Sequence, residues 1–151
     1  MANDIVRIVR GAQGTIAESS LRVRYAETDA QGVVYYASYF VYFEVARVNL
    51  LRTLGFDFRT LERTGTGLAI VEATCRYLAP ARFDDELTVQ TWVDEVGRTS
   101  FGLGYAVLNR TTGVRLAEGR TVQVLVSLNG QRRAVEMAPE FRAALVEAAG
   151  A

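Results

Sequence analysis

The stretch YYASYFVYFEVARVNLLRTL, residues 35–54, decides the fold. Its first half is apolar at nearly every position, and its second half adds Arg47, Asn49 and Arg52, which we expect to face water. Gly55 follows at the position where a glycine commonly ends a helix. These twenty residues predict a helix about 30 Å long. Because a helix that is hydrophobic all round must be enclosed by other structure, the rest of the chain has to wrap it.

Strand patterns lie on both sides of this helix. Residues 21–25 alternate apolar and basic side chains and predict a short strand before it. Four further strand patterns follow it, near residues 68–78, 87–93, 101–107 and 114–128. Consecutive strands joined by short turns form antiparallel sheets. The sequence therefore predicts an α+β fold in which a curved antiparallel sheet of about five strands wraps one long central helix.

The 151 residues are enough for one domain with one hydrophobic core. Residues 1–18 carry no clear pattern and are predicted to be an N-terminal arm or an added edge strand, so the single domain is assigned to residues 19–151. Pro139 suits the first position of a short C-terminal helix that ends near Ala148. A small open sheet leaves edge strands unpaired, and pairing with a second copy of the chain is a natural way to cover them.

The composition excludes several classes of function. The chain contains no histidine and one cysteine, which removes Ser-His and Cys-His mechanisms and makes a metal site improbable, so we expect no metal and no cofactor. Seventeen basic residues balance seventeen acidic ones, so no positive field recruits nucleic acid. No apolar run reaches the roughly 18 residues of a membrane span. The single thiol and the absence of a signal-like segment predict a cytoplasmic protein.

One segment resembles a known family. Residues 24–40, RYAETDAQGVVYYASYF, are similar to the signature of the 4-hydroxybenzoyl-CoA thioesterase family, and to its Tol–Pal-cluster acyl-CoA thioesterase branch in particular. The segments FEVAR at 43–47, RYLAPA at 76–81 and GRTSF at 97–101 extend the resemblance over roughly residues 20–140. The resemblance implies a hotdog fold and the hydrolysis of a CoA thioester. It also implies a site built between two subunits of a dimer or tetramer.

By motif position, the resemblance places the catalytic aspartate on Asp29 and the backbone amide that polarises the carbonyl on Tyr36. Two positions depart from the family pattern. Ala30-Gln31 stands where the 4-hydroxybenzoyl enzymes usually have Pro-Ala, and many Tol–Pal-type members have a histidine in place of Tyr36. A backbone amide role tolerates the second change, whereas a side-chain role of the histidine does not.

The chemistry of thioester hydrolysis fits these positions. It needs a carboxylate that attacks the carbonyl or activates water, and donors that hold the developing oxyanion. Asp29 precedes a helix start, where unpaired N–H groups and a partial positive charge are available. Whether Asp29 acts as nucleophile or as general base stays open, and an ordinary capping aspartate is the simpler alternative. Glu27 is expected at the surface, and Glu44 is a rival carboxylate expected to pair with Arg47.

The substrate-binding residues are predicted around the same motif and at one distant turn. Gly32 lets the backbone approach the substrate closely, and Val33 and Tyr35 flank it. Arg98, in the turn that ends at Ser100, matches a family position near the CoA phosphates, which require cationic side chains. The pair at 132–133, both arginines, is a second candidate. Tyr35, Tyr36, Tyr39 and Tyr42 are candidates for an acyl-pocket wall, with a plain core role as the alternative, and Cys75 is expected in the core.

Two other functions compete with thioester hydrolysis. A hydratase or dehydratase of acyl thioesters is disfavoured because the examples known to us pair a histidine with an acid. The remaining alternative is a non-catalytic hotdog module that binds acyl-CoA or an acyl-carrier protein.

Overall fold

The computed structural model describes residues 6–150. Six strands form one antiparallel sheet in the order β1-β2-β4-β5-β6-β3. The strands are β1 Val6–Gly11, β2 Gly14–Arg22, β3 Thr66–Tyr77, β4 Glu86–Val96, β5 Ser100–Asn109 and β6 Arg115–Ser127. The helices are α1 Ser38–Thr53, α2 Phe58–Arg63 and α3 Pro139–Ala148. The predicted α+β arrangement of one long helix against a curved antiparallel sheet is confirmed.

The long helix α1 lies on one face of the sheet and builds the core. Its buried side chains are Tyr39, Tyr42, Phe43, Ala46, Asn49, Leu50 and Leu51. The close approach depends on Gly119 of β6, because a Cβ there would come within 2.5 Å of the Phe43 ring. Phe43 also stacks on Tyr105, with ring centroids 4.3 Å apart. Truncating such a buried ring to alanine typically costs about 3–5 kcal/mol of stability.

The N-terminal segment adds to the edge of the sheet, which is the second of the two alternatives given for it. The sheet has six strands instead of about five, because β1 adds an edge and pairs along its length with β2. The strand β2 starts at Gly14 and pairs with β4 from Ile16 onward, so the division between residues 18 and 19 falls inside a strand. The short side chains of this segment hid the strand pattern, yet Ala17 is fully buried. The part of the predicted arm at residues 1–5 lies outside the described residues.

Two details of the central helix differ from the prediction. Asn49 is buried instead of facing water, because its Nδ2 donates to Ser19 Oγ at 3.0 Å. The helix is also not enclosed on every side, since Phe40 and Val41 are 36% and 50% exposed. One apolar flank of α1 therefore remains open in the single chain.

The ends of the elements follow local chemistry. Gly55 follows α1 in the left-handed conformation, with φ of 93°, as its position predicts. The helix α2 was missed as an element; it begins where the Asp57 carboxylate accepts from the Thr60 N–H at 2.8 Å. The helix α3 begins at Pro139 as predicted. Within residues 6–150, none of the helices has the length and apolar character needed to cross a bilayer.

Candidate active site

The loop between β2 and α1 carries Asp29 in a tight, self-bonded turn. The Asp29 N–H donates to the Val33 carbonyl at 2.9 Å, and the Gly32 N–H donates to the Asp29 carbonyl at 2.9 Å. Gly32 has a φ of 79°, a left-handed conformation that favours glycine. This glycine is therefore explained by the turn itself, and its role in close substrate approach stays a prediction.

The Asp29 carboxylate uses one oxygen for the loop. Its Oδ1 accepts from the Gln31 N–H at 2.8 Å and, more weakly, from the Val33 N–H at 3.4 Å. Its Oδ2 accepts no hydrogen bond from residues 6–150. The turn thus fixes the direction of the carboxylate and leaves one anionic oxygen for chemistry.

The start of α1 provides unpaired donors beside this carboxylate. Its N-cap is Ala37, which has no side-chain oxygen to cap the helix. Within the described part of the chain, the N–H groups of Tyr36 and Ala37 donate to no acceptor, whereas the flanking Tyr35 and Ser38 N–H groups are bonded. A helix start with free N–H groups favours an anion or a carbonyl oxygen.

Glu27 connects the loop to the helix through hydrogen bonds. It was predicted at the surface, but its side chain is largely buried. Its carboxylate accepts from the Arg24 N–H and Nε, at 3.0 and 2.7 Å, and from the Tyr42 hydroxyl at 2.9 Å. Only 12% of its side chain is exposed. Burial alone would raise the pKa of Glu27, but the hydrogen bonds from Arg24 and Tyr42 outweigh burial and hold the pKa below its ordinary value. Its carbonyl also accepts from the Tyr35 N–H.

A pocket of about 340 Å³ opens between this loop and the end of β3. It is lined by Asp29, Val33, Val34, Tyr36, Tyr39, Tyr77, Leu78, Ala79 and Pro80. The structure therefore brings together the predicted residues Asp29, Val33 and Tyr36, with Tyr39 as a wall. Gly32 and Tyr35 adjoin the pocket in sequence but do not line it. The Tyr35 ring lies against Tyr36 instead, with centroids 4.6 Å apart.

Sequence reasoning assigned no role to the β3 side of this pocket. The segment RYLAPA was noted only for its resemblance, although residues 77–80 supply almost half of the lining. Tyr77 carries a specific contact, because its hydroxyl donates to the Tyr36 carbonyl at 2.8 Å. The sequence signal that could have predicted this side of the pocket was an aromatic residue and a proline together at the end of a strand.

The structure places Arg98 and Ser100 far from Asp29 within one chain. The Asp29 loop contacts the start of β4, since Val33 bridges to Arg82. Arg98 follows the other end of β4, and 11 residues of strand span about 35 Å. Arg98 is 75% exposed and pairs with Glu136 at 2.8 Å. Ser100 closes the turn by accepting from the Gly97 N–H at 2.7 Å.

The rival carboxylate Glu44 has no partner in the described residues. The predicted ion pair with Arg47 is absent among residues 6–150, where Arg47 is half-buried and its Nε lies buried without a hydrogen bond. Glu44 is exposed and lies outside the pocket. Cys75 is only half-buried at the margin of the core. Arg132 and Arg133 lie in an exposed loop after β6.

A larger groove of about 520 Å³ lies beside Trp92, Arg115 and Glu118. The Trp92 ring covers Gly104 on the face of the sheet away from α1. None of the predicted site residues lines this groove. The smaller pocket at Asp29 is therefore the candidate active site, because it combines a carboxylate with free helix-start donors.

Known proteins share this sequence and fold. The profile of the thioesterase-like superfamily matches residues 23–145. The acyl-CoA thioesterase YbgC of Haemophilus influenzae is 35% identical over 82% of this chain and 90% of its own length. A hypothetical protein from Thermus thermophilus is 34% identical, with a TM-score of 0.81 over 87% of this chain and 98% of its own.

The fold is also similar to that of a solved structure with lower sequence identity. A variant of 4-hydroxybenzoyl-CoA thioesterase, crystallised with 4-hydroxybenzoyl-CoA, is 23% identical and has a TM-score of 0.79 over 86% of this chain and 98% of its own. The predicted hotdog fold and the predicted class of thioester hydrolase are confirmed. The roles of individual residues stay predictions. From its sequence and its fold, the chain belongs to the thioesterase-like superfamily.

Proposed function

We propose that this chain hydrolyses acyl-CoA thioesters to the free acid and CoA at the pocket of Asp29 and Tyr36. The observation that carries the proposal is the pairing of two features on one pocket. Among residues 6–150, one oxygen of the Asp29 carboxylate accepts no hydrogen bond, and the helix start that lines the same pocket has N–H groups without acceptors. An anionic oxygen and free donors are the two requirements of acyl transfer.

The reaction follows from this arrangement by one of two routes. In the first, Asp29 Oδ2 attacks the thioester carbon, the CoA thiolate leaves, and water hydrolyses the resulting anhydride. In the second, Asp29 takes a proton from water as the water attacks the same carbon. In both routes the carbonyl oxygen becomes negative and is stabilised by the Tyr36 N–H and the positive end of the α1 dipole.

The acyl group is proposed to lie along the aromatic wall of the pocket. The Tyr39 and Tyr77 rings meet edge to face, with centroids 5.2 Å apart, and Pro80 closes the same side. Val33 lines the same pocket from the loop, and Tyr35 supports it through its ring contact with Tyr36. This wall is apolar enough for either an aliphatic or an aromatic acyl group.

A second copy of the chain is proposed to complete the site. Within the described part of the chain, the strand β3 pairs only with β6, which leaves its other edge unpaired there. Ile70 and Val71 on β3 are 45% and 60% exposed, and Phe40 exposes the neighbouring flank of α1. An unpaired strand with exposed apolar residues is a pairing surface. We infer a dimer or tetramer in which Arg98 of the partner subunit binds the CoA phosphates near Asp29.

The cellular setting follows from the substrate. CoA thioesters are made and used in the cytoplasm, and the single free thiol suits that compartment. The proposed partners are thus an acyl-CoA and further copies of the chain, without nucleic acid.

A thiol-release assay tests the proposed activity. Butyryl-, palmitoyl- and benzoyl-CoA are supplied in turn, and the released CoA thiol is measured with a thiol reagent. The Cys75→Ser variant is used throughout, because Cys75 is the only protein thiol that would react. Turnover of at least one substrate supports hydrolysis. Binding of all three without thiol release would favour the non-catalytic module that binds acyl-CoA or an acyl-carrier protein.

Light scattering at micromolar concentration tests the assembly. We expect the wild type to show two or four times the mass of one chain, and Val71→Arg to shift the mass toward the monomer. The matched control is Val114→Arg, which charges a similarly exposed valine outside β3. A monomeric wild type would remove the assembly from the proposal.

A further inference from the structure

Tyr77 connects the end of β3 to the start of α1. It is the last residue of β3, and its backbone pairs with Ala117 of β6. The next two residues are held as well, because the Leu78 and Ala79 N–H groups both donate to the Leu116 carbonyl. From this rigid base the Tyr77 hydroxyl donates to the Tyr36 carbonyl at 2.8 Å, across 41 positions of sequence.

Few other contacts fix the peptide group that it reaches. The N-cap Ala37 offers no side-chain cap. From the other described residues, the Tyr36 carbonyl accepts only the Tyr39 N–H at 3.4 Å, which is long for a hydrogen bond. Tyr36 as a residue is 61% exposed, and its ring meets only Tyr35 and Tyr77 among the aromatic contacts of the described residues. The Tyr77 hydroxyl is therefore the short, long-range contact that sets the orientation of this peptide.

The same peptide group carries a free donor. The Tyr36 carbonyl and the Ala37 N–H belong to one planar unit, so a hydroxyl that holds the carbonyl also sets the direction of the N–H. Hydrogen bonding at the carbonyl polarises the peptide and strengthens its N–H as a donor. Within residues 6–150 the Ala37 N–H has no acceptor. Burial, and then the neighbouring Cys75, raise the pKa of Tyr77, so the phenol keeps its proton at neutral pH.

We propose that Tyr77 is a positioning residue that holds the Tyr36–Ala37 peptide, and that the Ala37 N–H is a second oxyanion donor beside the Tyr36 N–H. The inference rests on the proposed function, because it assumes that the thioester carbonyl binds at the helix start. Tyr77 acts through the peptide and does not need to contact the substrate. Its contribution is made mainly in the transition state, when the oxygen becomes charged.

Two variants separate positioning from a merely structural role. Tyr77→Phe keeps the ring and removes the hydroxyl, and we expect kcat to fall about 5- to 10-fold while KM changes less than about twofold. Tyr105→Phe is the control, because it removes another phenol hydrogen bond, to Thr121 at 2.7 Å, that is not connected to the helix start. The control is expected to lower Tm and leave kcat within about twofold.

Infrared spectroscopy provides a readout that does not need turnover. The probes are phenacyl-CoA and hexanoylmethyl-CoA, thioethers in which a methylene separates the sulfur from an isotope-labelled ketone carbonyl. Binding to the wild type should lower the carbonyl stretching frequency relative to water, because the N–H donors polarise the bond. In Tyr77→Phe the frequency should return part of the way toward its value in water, and in Tyr105→Phe it should match the wild type.

The outcomes separate the positioning role of Tyr77 from the proposed binding of the carbonyl at the helix start. A lowered frequency in the wild type that is unchanged in Tyr77→Phe, with kcat also unchanged, overturns the role of Tyr77 and leaves the proposed function intact. A wild-type frequency equal to that in water, with both probes bound, overturns carbonyl binding at the helix start and the inference with it. A combined loss of kcat and of the frequency shift in Tyr77→Phe alone supports it.

Discussion

The two ends of the sheet are built differently, although the sequence assigned both to one site. At the Asp29 end, loop, helix and strand are joined by hydrogen bonds from Tyr42 to Glu27 and from Tyr77 to Tyr36. At the other end, Arg98 extends from a turn with 75% of its side chain exposed and one surface ion pair. The first end fixes its side chains by hydrogen bonds between elements, and the second presents an exposed cation on a turn.

This difference matches the two parts of the proposed substrate. The reacting carbonyl requires donors and a carboxylate in fixed geometry, which the Asp29 end provides within one chain. The phosphates of CoA need only charge and reach, which an exposed arginine provides. Because about 35 Å separates the two ends of β4, one chain cannot serve both parts of one substrate in this way. The comparison therefore predicts that one subunit binds the reacting carbonyl and another subunit binds the CoA phosphates.

The largest expected effect is at the fixed end. We expect Asp29→Asn to lower kcat by about 10²–10⁴-fold or more while the fold and substrate affinity are kept. Asparagine retains an oxygen that can accept from the Gln31 and Val33 N–H groups, so the turn survives. It loses the anionic oxygen. The measurement is steady-state thiol release, with the Tm as a check of folding.

Glu44→Gln is the matched control for this prediction. It neutralises a carboxylate that is exposed on α1 and has no ion-pair partner among the described residues, so activity should stay within about twofold. Wild-type turnover in Asp29→Asn would show that Asp29 is only a cap. A folded but inactive Glu44→Gln would move the catalytic role to the helix.

The fold was predictable because its signals are local. The apolar run of α1, the alternation in β4 and β5, and the proline that starts α3 each reflect a few neighbouring residues. The start of α1 was predicted three residues early, since Tyr36 and Ala37 form a turn that periodicity does not distinguish from helix. The burial of Asn49 depends on Ser19, thirty positions away, which no local pattern shows.

The site was predictable only in part for the same reason. Asp29 and Tyr36 lie seven residues apart in one motif, so a short segment carries both. Glu27 and Tyr77 depend on partners that the fold brings close, namely Tyr42 and the Tyr36 carbonyl. Arg98 was assigned by resemblance, which does not show that the length of β4 separates it from Asp29 within one chain.

A smaller effect is expected when the tie between loop and helix is loosened. Glu27→Gln should lower the free energy of unfolding by about 1–3 kcal/mol at neutral pH, because it removes the charge that accepts from Arg24 and Tyr42. Since the folded state lowers the pKa of Glu27, its stabilisation is fully present above the unfolded value of about 4.5 and is lost as the pH falls through the folded value.

Urea unfolding of wild type and Glu27→Gln at several pH values checks this sign. The two curves should differ most at neutral pH and converge as the pH falls through the lowered pKa of Glu27, where the wild-type carboxylate becomes protonated as well. A difference that stays constant across this range would mean that shape, and not charge, makes Glu27 important. The charge of Glu27 would then contribute little to the stability of the sheet end that holds Asp29.

The smallest effect is expected at the exposed end and decides where the phosphates of CoA lie. Arg98→Ala should raise KM about 5- to 30-fold with little change in kcat, because a phosphate contact remote from the thioester contributes equally in the ground and transition states. That range corresponds to about 1–2 kcal/mol, the scale of one charged hydrogen bond.

The control is Arg82→Ala, which removes an exposed cation beside the Asp29 loop of the same chain. A KM that rises for Arg98→Ala alone, and less so at high salt, places the phosphates on the partner's turn. A KM that rises for Arg82→Ala alone would instead place the phosphates beside Asp29 of the same chain. One chain would then bind the whole substrate, and Arg98 at the other end of the sheet would not contact it.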